Sequence, residues 1–570
     1  MSPRSANRRV RILVVLFGLA FAAILGRAMW LQVVRAPGFE AMAARQQRET
    51  IEIPAGRGTI YDRTGAPLAI GEQATTVFAD PRAVTDAQRV AVESARVLGV
   101  SADDLYPQLR DRTSRFVYVQ RKADPLRAAT LAGLQLPGVG SYPEELRTYP
   151  QGNVAAQVLG FAGVDNKGLE GLEGSLDKTL AGTPGSEVVI KDPYGRAIEV
   201  VEARPERPGR NVTLTIDHQL QASAEEVLAR TVRSWNARGA TAIVLEPRTG
   251  AVLAMANYPS FDVNRFGTAP AEARRNRAVT DLYEPGSTFK IVTVAAALED
   301  RIVKPSTSFW LPPTIQVADR VIHEAHDRPA QRMSVRQILS ESSNVGTITI
   351  AQELGAGELA AWIERFGFGT RTGIDFPGES PGMVLPLERW SGSTIGTVPI
   401  GQGIAVTPLQ MVSAYAAIGN GGVRMRPHLV QSIGGKKVDR GSGKRIVSRA
   451  TAHRMMAMFR DVVVEGTGGE AAIPGYTVAG KTGTASKPEN GRYVAKYVAS
   501  FVGLVPAEKP RLAILVAVDE PKGQIWGGVV AAPAFRDISR FALQYLEIPP
   551  DAPETKDRAV AVAAGGDDGA

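Results

Sequence analysis

Apolar residues run from Ile12 to Val34, broken only by Arg27 and Gln32. As a helix this stretch would measure about 34 Å, enough to cross the hydrocarbon core of a bilayer. Arg4, Arg8, Arg9 and Arg11 precede it with no acid among them. That asymmetry places residues 1–11 in the cytoplasm and everything after the span outside. Ala20-Phe21-Ala22 has the small-residue form of a signal-peptidase site. The apolar run continues past it, however, where a cleaved signal turns polar, so an uncleaved anchor over 12–34 is expected. Trp30 and Arg35 suit the outer interface. Arg27 has two readings: it snorkels to the headgroups, or it contacts another membrane protein.

Beyond the anchor the periodicity is mixed. Residues 45–208 alternate short strand patterns (Glu49 to Ile53, Gly58 to Tyr61, Pro67 to Ile70, Thr75 to Ala79) with helical ones (Asp86 to Leu98, Pro125 to Leu134, Val154 to Phe161). Asp62-Arg-Thr-Gly65 reads as a turn. Gly185 to Val201 returns to strand, broken at Asp192-Pro-Tyr-Gly195, and Pro205 to Arg210 reads as a linker. No catalytic constellation lies in this region, which reads as a pedestal or dimerisation-type interaction domain.

Residues 215–548 form a second domain. Gln219 to Arg233 is an amphipathic helix, and Ala240 to Glu246 with Ala251 to Ala256 is a hairpin. Thr477 to Gly480, Tyr497 to Val505 and Arg511 to Val518 supply three more strands, separated by Glu489-Asn-Gly491 and by the loop from Pro506 to Pro510. The block from Ser287 to about Arg460 is mostly helical, and a helix over Val529 to Tyr545 covers one sheet face. The expected fold class is α/β of the α+β type: one membrane helix, a β-rich pedestal, and a five-stranded antiparallel sheet flanked by helices. The Pro, Ala, Gly and Asp composition of 549–570 predicts a disordered tail.

With 570 residues, 66 basic against 58 acidic side chains leave a net charge of +8, small for this length. No basic run alternates with aromatics, so nucleic acid is not a partner. The chain has no cysteine, which excludes disulfides and thiolate metal sites.

The candidate chemistry starts at Glu284-Pro-Gly-Ser-Thr-Phe-Lys290. Pro285 and Gly286 break what precedes, and STFKIVTVAAALED then opens an apolar helix. Ser287 falls in its first turn, where free N–H groups and the helix dipole favour a developing oxyanion. Lys290 follows at i+3 on the same face, a base beside a nucleophile. Ser342-Ser-Asn344 lies in a loop between helices, after a capping box at Ser334-Val-Arg-Gln337. Lys481-Thr-Gly-Thr484 follows the strand ending at Gly480, and Gly483 leaves room for a ligand to lie along the backbone.

In this order, Ser-x-x-Lys, Ser-x-Asn and Lys-Thr-Gly resemble the three motifs of the penicillin-recognising serine acyltransferases. Arg57-Gly-Thr-Ile-Tyr-Asp-Arg63, Gly168-Leu-Glu-Gly-Leu-Glu173, Gly401-Gln-Gly403 and Val406-Thr-Pro-Leu-Gln410 are similar to class B penicillin-binding proteins. Gly26-Arg-Ala-Met-Trp-Leu-Gln32 and Glu489-Asn-Gly-Arg-Tyr493 are similar to the division-type, FtsI-like transpeptidases of that class. The middle motif reads Ser-Ser-Asn where hydrolytic relatives often have Ser-Asp-Asn.

The resemblance implies a membrane-anchored, periplasmic or extracellular enzyme that cross-links peptidoglycan stem peptides at the septum. It implies β-lactam inhibition, a SEDS-type glycan polymerase as partner, and no cofactor or metal. It also assigns roles. Ser287 is the nucleophile and Lys290 the base, a lysine whose descent from about 10.4 to near neutrality costs roughly 4 kcal/mol. Ser342 relays the proton, Asn344 holds Lys290, and Lys481, Thr482 and Thr484 bind the substrate carboxylate beside Gly483. The N–H groups of Ser287 and Thr484 form the oxyanion hole.

An elongation- or sporulation-type paralogue, a carboxypeptidase or β-lactamase-like hydrolase, and a catalytically idle septal scaffold are the alternatives. His323-Glu-Ala-His326 is one residue short of the zinc pattern His-Glu-x-x-His and is expected to be a loop.

Overall fold

The structure, a computed structural model, describes residues 3–36, 48–191 and 197–552. The expected turn at 192–195 and the tail from 553 onward lie outside the described residues. By compactness the chain divides into two units, Met1–Gly56 with Ala181–Gly209, and Arg57–Leu180 with Arg210–Ala570.

In the first unit, helix Pro3–Met29 passes into a π-helical turn, Trp30–Val34. Arg8–Val34 is long and apolar enough to cross a membrane. The helix extends back beyond residue 12 because the arginines before it are good helix formers. The Arg27 and Arg35 guanidinium groups flank the Trp30 ring at 4.7 and 4.9 Å, within cation–π range. Strands Arg48–Ile53, Gly185–Lys191 and Ala197–Arg204 pair antiparallel in that order.

In the second unit, one sheet of seven strands among the described residues links distant parts of the sequence. Ile60–Tyr61 pairs in parallel with Val212–Leu214, which pairs with Val430–Ile433. On the other side it meets Pro67–Ala79, which carries both Val117–Ala123 and Val139–Thr148. The strands expected over Pro67 to Ile70 and Thr75 to Ala79 are one, because pairing of Gly71, Glu72 and Gln73 with Arg147, Leu146 and Glu145 carries the strand straight through. The helix expected over Val154 to Phe161 is only Ala156–Leu159. Ala155 and Gly160, at φ +57° and +64°, stop it at both ends.

Two of the family-like motifs meet in this unit's interior. Arg57 donates from Nε to Glu173 Oε2 at 2.7 Å and pairs through Nη1 with Asp177 at 2.7 Å. Arg147 Nε reaches Glu173 Oε1 at 2.7 Å. Gly168 is required there, since a Cβ would stand 1.9 Å from the Glu173 carbonyl oxygen.

The remaining elements build the catalytic layer. Helix α1 (His218–Ser234) is capped by Asp217, whose side chain accepts from Gln219 and Leu220 N–H. Strands β1 (Gly239–Leu245) and β2 (Val252–Tyr258) form the expected hairpin. Helix α2 (Lys290–Glu299) is buried from Lys290 to Leu298. Helix α3 (Val335–Ser340) starts with the expected capping box, Ser334 to Gln337. Helices α4 (Asn344–Leu354), α5 (Pro408–Gly419) and α6 (Arg449–Val464) belong to the helical block, as does Ala356–Phe366 between the first two. Strands β3 (Ala479–Glu489), β4 (Arg492–Val505) and β5 (Leu512–Asp519) follow, then helix α7 (Ala532–Tyr545).

The sheet order is β2-β1-β5-β4-β3, antiparallel throughout. Its strands alternate between two cores, so both faces are covered by helices. Ile243, Leu245, Val502 and Leu515 face the core that holds α2, α4, α5 and α6. Ala242, Val244, Phe501 and Val516 face α1 and α7. The helix expected over Val529 to Tyr545 is broken: Gly527–Val530 is a separate turn ahead of α7. Strand β3 begins later and runs much further than Thr477 to Gly480, so Lys481 to Thr484 lie inside it.

Candidate active site

Ser287 sits in a 3₁₀ turn, Gly286–Phe289, that leads directly into α2. Gly286 takes φ +54° there, a conformation cheap only for glycine. Its N–H donates to the Gly401 carbonyl at 3.1 Å. Thr288 donates its hydroxyl to the Pro285 carbonyl at 2.7 Å, and Tyr415 donates to the Thr288 carbonyl at 2.9 Å. Glu284 accepts from Gly403 N–H at 2.9 Å and from the Tyr493 hydroxyl at 3.0 Å. The Gly-Gln-Gly and Asn-Gly-Arg-Tyr segments thus hold the serine turn from two sides.

Lys290 is fully buried one turn further in. Its Nζ lies 2.6 Å from the Ser342 carbonyl oxygen, 3.2 Å from Ser342 Oγ and 2.9 Å from Asn344 Oδ1. Burial drives its pKa well below the ordinary lysine value, and the Lys481 cation pushes the same way. Among the described residues Ser287 and Lys290 share no side-chain hydrogen bond; the lysine is held by the Ser-x-Asn segment.

Ser342 occupies the loop between α3 and α4 with φ +62°, a backbone conformation that costs a non-glycine residue free energy and clusters at functional sites. Asn344 is the first residue of α4, whose cap is Ser343. Its Nδ2 donates to the His323 carbonyl at 3.1 Å. That bond fixes the carboxamide with its oxygen toward Lys290.

Lys481 is also fully buried, and burial lowers its pKa to about 7. Its Nζ stands 3.3 Å from Thr482 Oγ1, which in turn lies 2.7 Å from Thr467 Oγ1. Thr484 Oγ1 accepts from Gly527 N–H at 3.1 Å. β3 is an edge strand, and the turn bearing Ser287 lies against it. Gly483 permits that approach. A Cβ there would fall 2.4 Å from Ser500 Oγ and 2.9 Å from Thr288 Cγ2.

A cavity of about 470 Å³ is lined by Ser287, Ser342, Asn344, Thr482 and Thr484 together with His326 and Trp526. Lys290, Lys481 and Gly483 lie just behind its wall. The eight residues singled out from the sequence therefore converge on one crevice. A second cavity of about 440 Å³ holds Arg277, Asp281, Lys487 and Asp519, whose charges pair with each other at 3.1 and 2.9 Å. None of the three motif residues Ser287, Ser342 and Lys481 lines it.

One participant was not foreseen. Glu324, inside the segment dismissed as a zinc decoy, accepts from Ser343 Oγ and from Asn344 N–H, each at 2.6 Å. The segment was expected to be a loop, but His323 ends a strand, Arg320–His323, and Glu324 follows it directly. His323 and His326 are exposed, and His326 packs on Trp526 with ring centroids 4.5 Å apart.

The chain has relatives over nearly its whole length. Residues 240–540 match the penicillin binding protein transpeptidase domain and residues 52–214 the penicillin-binding protein dimerisation domain. It is 36% identical to the peptidoglycan D,D-transpeptidase FtsI of Escherichia coli K12 over 95% of this chain and 92% of that one. It is 34% identical to the stage V sporulation protein D of Bacillus subtilis strain 168, over 96% and 88%. The crystal structure of penicillin binding protein 3 from Mycobacterium tuberculosis complexed with aztreonam superposes with a TM-score of 0.69 at 31% identity, covering 89% of this chain and 99% of that one. With the three motifs lining one crevice and a similarity that spans both domains, the chain belongs to the class B penicillin-binding proteins, FtsI-like in kind, and is a transpeptidase.

Proposed function

We propose that this is a single-pass inner-membrane D,D-transpeptidase that cross-links peptidoglycan stem peptides during septal wall synthesis through an acyl-enzyme on Ser287. The observation that carries the chemistry is the setting of Lys290. A neutral amine has two N–H donors and one lone pair. The Ser342 carbonyl and Asn344 Oδ1 accept the two donors. The lone pair is left for a hydroxyl proton, from Ser287 during attack or from Ser342 at 3.2 Å.

In the first step Ser287 Oγ bonds to the carbonyl carbon of the D-Ala-D-Ala amide and Lys290 takes its proton. The C–N bond then breaks, and the proton returns through Ser342 to the departing D-alanine nitrogen. An amine of a second stem peptide attacks the ester and regenerates the Ser287 hydroxyl. The N–H groups of Ser287 and Thr484 receive the oxyanion. Thr482 and Thr484, backed by the Lys481 charge, receive the terminal carboxylate.

The apolar helix and the arginines ahead of it support an outward-facing catalytic domain. Arg27 on that helix, and the pedestal, are the surfaces offered to a SEDS-type polymerase and other division proteins.

Incubation with a fluorescent penicillin and peptide mapping test the chemistry. The adduct is expected on Ser287; an adduct elsewhere, or none on folded protein, removes the assignment. The sporulation relative, similar to the chain over a comparable length, favours an elongation- or sporulation-type paralogue as a second reading. Depletion decides between them: undivided filaments support the septal role, whereas rounded cells that still divide, or a defect confined to spores, support the paralogue.

A further inference from the structure

We infer that Glu324 is a positioning residue for the acylation step, holding the Ser342-Ser343-Asn344 segment in register with Lys290. This rests on Lys290 being the base. The Glu324 side chain is 3% exposed and pairs with Arg328 Nη2 at 2.7 Å. Its two oxygens are spent on the same segment, one on Ser343 Oγ and the other on Asn344 N–H. Ser343 Oγ passes the constraint on by accepting from Gly346 N–H at 2.9 Å, in the first turn of α4.

The placement has a physical logic. The first N–H groups of α4 have no intrahelical partner, and a carboxylate at that end is favoured by both hydrogen bonding and the helix dipole. Glu324 and His323 together grip Asn344 by its backbone N–H and its carboxamide nitrogen. The carboxamide oxygen is then free to point only at Lys290. Ser342, held at a costly positive φ, presents its carbonyl to the same amine. A carboxylate arriving from a separate loop is what keeps this turn from relaxing.

The same loop also sets the charge around the base. The charged groups facing Lys290 are Lys481 from β3 and Glu324 and Arg328 from the loop. Glu324 favours the protonated amine, and Arg328 and Lys481 oppose it. The Glu324 carboxylate is near enough to bias the titration of Lys290, a readout that a loss of α4 stability alone would not move.

The test uses the full chain in detergent and measures the pH dependence of the second-order acylation rate with a fluorescent penicillin. Glu324→Gln keeps the shape but loses the charge and one acceptor. It is expected to acylate about 10- to 100-fold more slowly, as small misplacements of reacting groups do. Its acid limb is expected at lower pH than the parent's, because the amine is easier to keep neutral without the carboxylate. Arg328→Gln is expected to move that limb to higher pH. Glu324→Asp should recover part of the Gln variant's loss.

A Glu324→Gln chain with the parent's rate and an unmoved limb overturns the inference, as does a limb displaced in the same direction by both variants. If Glu324→Gln fails to fold, the direction of the Arg328→Gln displacement decides alone. Failure of the parent itself to acylate Ser287 would instead remove the proposed mechanism, and is read from the parent's own trace.

Discussion

A Lys290→Met chain is expected to fold, to melt no lower than the parent, and to acylate about 10²- to 10⁴-fold more slowly, the usual worth of a general base. The two halves of this expectation have one cause. Lys290 is fully buried, and burial together with the neighbouring Lys481 cation outweighs the Glu324 carboxylate that favours its charge. The fold therefore disfavours the charged amine, against its preference in water. Methionine has a similar length and no charge to suppress. The Ser342 carbonyl and Asn344 Oδ1 lose their donor, but both residues line the open cavity, where water can replace it.

The sign with pH follows directly. Between the lowered folded value and about 10.4 the unfolded chain carries a proton on Lys290 that the folded chain lacks. Stability of the parent rises with pH through that window. Lys481 adds a similar rise from about 7 upward. In the methionine variant the Lys290 part vanishes and the Lys481 part stays. Urea midpoints at several pH values, beside acylation rates, check both halves. A variant that acylates within tenfold of the parent would show that Lys290 is not the base.

Much of this site was legible because each motif carries its own local context. Gly286 before Ser287, the capping box before Ser342 and the strand start just ahead of Lys481 are all short-range signals. The sheet was legible for the same reason: β1, β2 and β5 fall within about two residues of their expected limits, whereas β4 starts at Arg492, ahead of the expected Tyr497. What escaped was long-range. The extent of β3 depends on its pairing with β4 as far as Glu489 and Arg492, across residues that look like polar loop. The continuity of Pro67–Ala79 depends on a partner some 70 residues away. Glu324 reaches Asn344 only once the strand before it has folded back against α4. No periodicity announces a carboxylate that serves another segment's backbone.

The burial of Glu173 was equally invisible, and it leads to the largest expected loss of stability. Its carboxylate is wholly buried and takes Arg57 on one oxygen and Arg147 on the other. Arg57 retains Asp177 at 2.7 Å and the Asn166 carbonyl at 2.9 Å. Arg147 is worse placed: among the described residues its two terminal nitrogens are buried without partners. Glu173→Ala therefore strands a buried guanidinium and is expected to cost about 3–5 kcal/mol, a drop of roughly 5–10 °C in melting temperature. Adding Arg147→Met to that variant should return a substantial part of the loss, because the stranded charge goes with it. None of these groups touches the crevice, so the fraction still folded should acylate at the parent's rate. A double variant that is worse than the single one would mean that Arg147 stabilises the unit by its packing, and that the two family-like motifs are joined by shape instead of charge.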